Sequence, residues 1–288
     1  MEEQDIIRVE GLSFTYVNGK RKALDNVSFT VKAGQTIGII GHTGAGKSTL
    51  GYCLRGLVPD SIPGRMEGNI FLLGKEIRTM DLAQKAGDFG IVFQDPESQI
   101  IGSMVLEDIT FGMSNLGVPQ QKMLETADDM LRRLGLFEKK YDETATLSGG
   151  QKQRLSIGGV LGMNSHIIFF DEPTTELDPL GKAEVFDMIR DLKRSGQVTI
   201  LMVSHQVELL AEIADRILVF KAGRLIREGT PLEVFSDEEL IQSVHERTPQ
   251  ELEIVYRLAA MGIGDPSLLK GNDINTVAEY ICRECLGR

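Results

Sequence analysis

The sequence predicts an α/β fold: a mixed core sheet, an antiparallel β subdomain, an inserted helical subdomain and a small C-terminal helical appendage. Three observations predict it. The first is Gly41-His42-Thr43-Gly44-Ala45-Gly46-Lys47-Ser48, which fits G-x-x-x-x-G-K-[ST] and lies between the apolar run Thr36 to Ile40 and a helical stretch from Ser48 to Arg55. A loop of this kind belongs at a strand-loop-helix junction, where backbone N–H groups wrap phosphates, the lysine reaches the outer ones and the hydroxyl binds magnesium. The second is His166-Ile-Ile-Phe-Phe170, a buried-strand pattern that ends in the adjacent acids Asp171 and Glu172. The third is Leu147-Ser148-Gly149-Gly150-Gln151, a serine and two glycines that open a helix. Helix N-termini present unpaired N–H groups and partial positive charge, so this is a second phosphate cradle. One nucleotide has no obvious use for both cradles, and the second is expected to serve a nucleotide held by another chain.

The remaining elements follow in order. Residues 5 to 31 alternate, with Val27, Phe29 and Val31 set against Asn26, Ser28 and Thr30, as half-buried antiparallel strands do. This sheet carries Tyr16. After the phosphate-loop helix, Gly68 to Leu73 reads as a strand behind a turn marked by Pro63 and Gly64. Phe89 to Phe93 is a further apolar run, ending before Gln94, and Val198 to Ser204 is another, ending before His205. Between Gln94 and about Val160 the sequence interrupts the nucleotide core with a helical lobe. Met123, Leu124, Ala127, Met130, Leu131 and Leu134 form one apolar helical stripe within residues 120 to 136, which core packing is sufficient to explain. Ile100, Ile101, Met104 and Val105 suit either a groove for a partner helix or the inside of the lobe. Past Gly229-Thr230-Pro231 the motifs stop, and residues 237–288 read as helices broken by Gly262, Gly264, Pro266 and Gly271.

In order and spacing these motifs resemble the ATP-binding-cassette (ABC) ATPases across residues 5–230, with the helical subdomain at about 95–160 and a separate helical domain at 231–288. An intact Leu-Ser-Gly-Gly-Gln signature beside a phosphate loop is close to diagnostic. The resemblance implies ATP and Mg2+ as the bound species and gives each position a role. Tyr16 stacks on adenine, and Gly41 to Thr49 hold the phosphates. Ser48, Gln94 and Asp171 serve the metal. Glu172 polarises the attacking water, with Gln94 and His205 beside it. Ser148, Gly149, Gly150 and Gln151 close over a partner's nucleotide, with Asp178 in the loop before the next helix. His42 and Glu176 have no such support for their side chains and are read as structural or solvated.

Within that family, Val92-Phe-Gln-Asp-Pro-Glu-Ser-Gln99, Phe111-Gly112, Asn115 to Pro119 and Gln151-Lys-Gln-Arg154 resemble the ATP-binding subunits of energy-coupling-factor importers. Such subunits pair with an identical or related chain. They bind a transmembrane coupling subunit and drive uptake of vitamins or transition-metal ions through a small membrane substrate-binding component. Their tails help to hold the pair together. Two positions depart from the family pattern: Glu176, where a small or apolar residue is usual, and Gln206, where aspartate is common.

Composition agrees with this reading without producing it. At 288 residues the chain suggests about two domains and ample core. A formal charge of −11 argues against a surface built for nucleic acid, which needs clustered Lys and Arg. Met1-Glu-Glu-Gln-Asp5 lacks the start of a secretory signal, and no apolar run approaches the ~20 residues of a membrane helix. These features suit a cytosolic or peripheral protein, and the resemblance implies a peripheral place on the cytoplasmic face of the cell membrane. Three cysteines do not make a disulfide framework. Cys282-Arg-Glu-Cys285 lacks two further ligands for zinc, so two thiols on a terminal helix is the favoured reading. Two other functions share the motifs: a soluble cassette ATPase acting on nucleic acid or the ribosome, which usually adds a second cassette, coiled coil or basic arm, and a module that binds ATP only to dimerise. Glu172 and His205 weigh against the second.

Overall fold

The computed structural model describes residues 5–269 and 274–285. The readings made of Met1 to Gln4, of Gly271 and of the Cys285 side chain lie outside the described residues.

The chain opens with the long strands β1 (Asp5–Tyr16) and β2 (Leu24–Lys32), in which Val27, Phe29 and Val31 point inward with the two-residue period of a strand. Then come β3 (Thr36–Ile40), the phosphate loop, α1 (Lys47–Arg55), β4 (Gly64–Leu72), β5 (Lys75–Glu76), α2 (Leu82–Asp88) and β6 (Phe89–Val92). The first sheet has the order β2-β1-β4-β5 with every pairing antiparallel, and it sets Tyr16 opposite Gly64 at one end. After α3 (Val105–Asn115), α4 (Gln120–Arg133) and α5 (Gly149–Gly162), the chain returns through β7 (Ile167–Asp171), α6 (Pro179–Ser195), β8 (Thr199–Val203), α7 (Val207–Ile213), β9 (Arg216–Lys221) and β10 (Arg224–Gly229). The second sheet has the order β10-β9-β3-β8-β7-β6, with all strands parallel except the edge strand β10.

Strands β3, β6, β7 and β8 are buried along their whole length, which is why each reads as a continuous apolar run and not as an alternation. Because they are parallel, their carboxyl ends share one edge. That edge carries the phosphate loop after Ile40, Gln94 after β6, Asp171 and Glu172 at the end of β7, and His205 after β8.

Helix α1 is sandwiched between the sheets, and its Leu50, Cys53 and Leu54 belong to one apolar cluster with strands of both. Burial pushes the Cys53 thiol up to about 12, so it is an inert packing group. The other face of the parallel sheet is covered through Ile157 and Val160 of α5, Val185 and Ile189 of α6, and Val207 and Leu210 of α7. The chain ends in α8 (Pro231–Phe235), α9 (Glu238–Ser243), α10 (Gln250–Ala260) and α11 (Ile274–Tyr280). Their Val234, Phe235, Ile241, Leu252, Val255 and Tyr280 join this same cluster.

The helical lobe has a third cluster, built from Val105, Ile109 and Met113 of α3, Ala127 and Leu131 of α4, Leu134, Leu136, Leu147 and Leu155. Ala127, Leu131 and Leu134 of the stripe thus pack as expected, with Met123 and Met130 at the margin. Of the four residues considered for a groove, Val105 is wholly buried in this cluster and Ile100 packs against it, so both belong inside the lobe. Ile101 is 65% exposed.

The contact between α1 and β7 is close enough to require glycine. A Cβ on Gly51 would stand 2.6 Å from a carbon of the Phe169 ring. Alanine's better helix propensity is worth about 1 kcal/mol, whereas overpacking a tight core costs about 1–3 kcal/mol. Gly51→Ala is therefore expected to lower the urea midpoint of unfolding with no change in m value.

Candidate active site

The shared strand edge and the end of the antiparallel sheet enclose a cleft of about 550 Å³. It is lined by Tyr16, Thr43, Gly44, Gly46, Lys47, Ser48, Thr49, Gln94, Asp171, Glu172 and His205, together with Ala23, Thr175 and Val203. Most of the sequence-predicted site residues therefore meet in one place.

The phosphate loop takes its shape from two glycines. Gly41 has φ 144° and a Cβ there would lie 2.2 Å from the Phe220 carbonyl oxygen; Gly46 has φ 101° and a Cβ would lie 2.4 Å from that of Ala23. Helix α1 starts at Lys47, which points its N-terminus at the cleft. Lys47 Nζ donates to the carbonyls of Gly41 and, at 3.3 Å, His42. Burial lowers its pKa, while Glu172, Glu246 and Asp171 act to raise it. Tyr16 stands half-buried at the mouth, its ring edge-on to Phe14 and its hydroxyl 2.9 Å from Thr49 Oγ1.

Asp171 ends β7 with its carboxyl buried. Desolvation raises its pKa, the Ser48 hydroxyl and Lys47 oppose the rise, and Glu172 adds to it. Ser48 and Asp171 thus bring two oxygen donors together, with Gln94 exposed in the loop after β6. Glu172 adopts the left-handed region at φ 52°, a conformation that costs a non-glycine residue and recurs where a side chain must be aimed. It is held there by its N–H bond to the Val203 carbonyl at 3.0 Å. Its Oε2 accepts from the Thr175 hydroxyl at 3.2 Å and from the His205 backbone at 3.4 Å. Its Oε1 is buried, makes no hydrogen bond and lies 3.2 Å from His205 Nε2. His205 also places Nδ1 2.9 Å from Glu246 Oε1. That hydrogen bond is the main cause of its raised pKa; burial works against it, and the charge of Glu172 works with it.

Several predicted residues do not line the cleft. Gly41, His42 and Ala45 shape the loop from behind, and the His42 ring turns to the Thr43 carbonyl and to His245, at a centroid distance of 6.2 Å. Ser148, Gly149, Gly150, Gln151 and Asp178 are also absent from the lining. Ser148 is the N-cap of α5 and forms a capping box with Gln151. Asp178 caps α6 by accepting from the Gly181 N–H at 2.7 Å. The two caps adjoin, since a Cβ on Gly150 would meet the Gly181 Cα at 3.2 Å. Glu176 is exposed, and the Gln206 N–H bonds to Ser204 Oγ. Cys282 is free and exposed, and among the described residues no group of three His, Cys, Asp or Glu side chains could hold a metal. Sequence reasoning missed Ala23, Thr175, Val203 and above all Glu246. No motif marks Glu246, which reaches the site from beyond the last core strand.

Residues 24–175 match the family described as ABC transporter. The chain belongs to the ABC transporter ATP-binding proteins. It is 37% identical to the energy-coupling factor transporter ATP-binding protein EcfA1 of Clostridioides difficile, over 98% of this chain and 99% of that protein. Its identity to the protein of that name from Caldanaerobacter subterraneus is 36%, over 96% and 99%. Among solved structures it resembles CbiO1 of Clostridium perfringens, described as part of the ABC transporter complex CbiONQ. There the TM-score is 0.73 and the identity 32%, covering 91% of this chain and all of that one. This ABC protein therefore has the cassette fold that its motifs predict, binds ATP and is an ATPase. Among its described residues no helix is long and apolar enough to cross a membrane.

The raised pKa of His205 has a defined consequence for stability. The contribution of its protonated ring is fully present below the unfolded value of 6.5 and is lost as pH rises through the higher folded value. The stability lost in His205→Ala, measured by urea unfolding, should therefore be greatest at the acid end of that window and shrink as the pH is raised through neutrality.

Proposed function

We propose that the chain is the ATP-hydrolysing subunit of an energy-coupling-factor importer, working in a head-to-tail pair with an identical or related chain. The observation that carries this reading is the division of the motif residues. Those that grip and attack a nucleotide line one cleft, while Ser148, Gly149 and Gly150 open α5 outside it. The N–H groups of a helix start suit an anion supplied by another molecule. Head-to-tail pairing would bring them over a partner's outer phosphate, with Asp178 beside them at the contact.

In this reading Tyr16 stacks on adenine, Lys47 and the Gly41 to Thr49 loop bind the phosphates, and the partner's signature turn completes the cage. Ser48, Asp171 and Gln94 would hold magnesium, a hard cation that favours oxygen ligands and neutralises phosphate charge when bound. Glu172 accepts the proton of the attacking water, and its Oε1, which makes no hydrogen bond and faces His205 Nε2 at 3.2 Å, suits that task. His205 and Lys47 stabilise the charge that develops on the outer phosphate.

The relatives named above carry the importer part of the proposal, since two are named for the energy-coupling factor transporter. A second cleft of about 260 Å³, lined by Arg55, Gln99, Ile101, Asp108, Phe111 and neighbours, supports docking of a transmembrane coupling subunit. Ile101 and Phe111 are large apolar groups exposed there. Gln99 also accepts from the Phe93 N–H next to Gln94, so the groove and the catalytic cleft share one loop. The subunit would sit on the cytoplasmic face of the membrane, joined through the coupling subunit to a membrane substrate-binding component for a vitamin or transition-metal ion. In this reading residues 5–230 are the ATPase domain, with a helical subdomain at about 95–160, and 231–288 the C-terminal helical domain, whose described helices share the apolar cluster on one face of the parallel sheet.

Glu172→Gln should retain ATP affinity and trap the pair, while phosphate release falls about 10²- to 10⁴-fold. Release at the parent rate would remove Glu172 from its role. Affinity isolation of the tagged chain from detergent-solubilised membranes should recover integral membrane proteins. Isolation of soluble proteins alone would overturn the importer assignment.

A further inference from the structure

The segment between α9 and α10 supplies a residue that no motif of the cassette includes. Glu246 lies 41 positions after His205, yet its carboxylate oxygen is 2.9 Å from His205 Nδ1. Its side chain is 4% exposed, well hidden for a carboxylate. The neighbouring residues pin the segment on each side. Val244 is wholly buried in the cluster on the outer face of the sheet. His245 takes the left-handed φ of 58° and sets its ring edge-on to His42 of the phosphate loop. Arg247 reaches Glu208 on α7 at 3.0 Å. The Glu246 N–H bonds back to the Ile241 carbonyl at 3.1 Å, at the end of α9.

An ionised carboxylate only accepts hydrogen bonds, so the Glu246 contact places a proton on Nδ1 of His205. A neutral ring with its proton there would offer only a lone pair at Nε2, which repels a phosphate oxygen. A carboxylate held against Nδ1 favours the doubly protonated ring, in which Nε2–H is a donor aimed into the cleft. The Nε2 atom lies 3.2 Å from Glu172 Oε1, an ion-pair contact when the ring is protonated, so the same N–H lies where an outer phosphate oxygen could share or replace that partner.

We propose that Glu246 is a positioning residue for the ATPase reaction: it fixes the His205 ring with Nε2–H directed at the outer phosphate of ATP. Through it the C-terminal helices take part in telling ATP from ADP. The inference rests on the assignment of His205 to the outer phosphate.

The test compares the full chain with Glu246→Gln, Glu246→Ala, His205→Ala and the double variant H205A/E246A, measuring affinities for magnesium-ATP and magnesium-ADP, kcat, KM and thermal midpoint. Each Glu246 variant is expected to reduce the preference for ATP over ADP about 5- to 10-fold, the lower range of coupling between interacting sites. Affinity for ADP should be unchanged, and any fall in thermal midpoint should not exceed that of His205→Ala nor add to it in the double variant. In the His205→Ala background the Glu246 substitution should have no further effect, as a double-mutant cycle requires of a residue acting through the ring. Equal weakening of ATP and ADP, or a full Glu246 effect without His205, would overturn the proposal. So would an intact ATP preference in both Glu246 variants while His205→Ala loses it. If His205→Ala itself keeps the preference, the phosphate assignment fails first and the role of Glu246 falls with it. Glu246→Gln preserves the side-chain size, so a folding failure of the alanine variant leaves the comparison in place.

Discussion

The whole site depends on the burial of four adjacent parallel strands. A strand covered on both faces cannot carry a reactive side chain within its length, because an unpaired polar group there costs too much. The polar residues are therefore pushed to the points where β3, β6, β7 and β8 leave the sheet. Parallel direction gathers those points on one edge. The lysine, the two acids, the glutamine and the histidine are thus brought together by the sheet and not by local sequence. Glu172 shows the cost of the arrangement, since its backbone is bent into the left-handed region so that its carboxylate faces across to the end of β8.

The legible part of this architecture was the part encoded in short range. Thr36 to Ile40 and Ile167 to Phe170 were recognisable as strands because burial on both faces removes nearly every polar residue from the run, and the glycines of the phosphate loop were recognisable because their backbone angles demand them. The antiparallel strands announced themselves through the alternation around Val27, Phe29 and Val31. The contact of His205 with Glu246 was invisible, since it joins segments 41 residues apart through a turn that has no characteristic composition. Val105 was ambiguous for a similar reason. A lone apolar residue beside Ile101 and Met104 belongs to a groove or to an interior, and only the packing of Ile109 and Leu155 around it decides.

Charge is distributed with the same economy. Lys47 is largely buried, and Glu172, Glu246 and Asp171 all act on its charge. Each carboxylate has a different set of contacts: Ser48 for Asp171, Thr175 for Glu172 and His205 for Glu246. Different partners allow neighbouring acids of the same type to hold different tasks.

Helix α5 links regions that otherwise have separate cores. Its first residue follows the Ser148 cap, Leu155 lies in the lobe cluster, and Ile157 and Val160 lie against the sheet. Fourteen residues of α-helix form a rod about 21 Å long. A rod gripped near its middle by two cores behaves as a lever arm. Any tilt of the Ser148 end would therefore be felt both at Leu155 inside the lobe and at Ile157 and Val160 against the sheet.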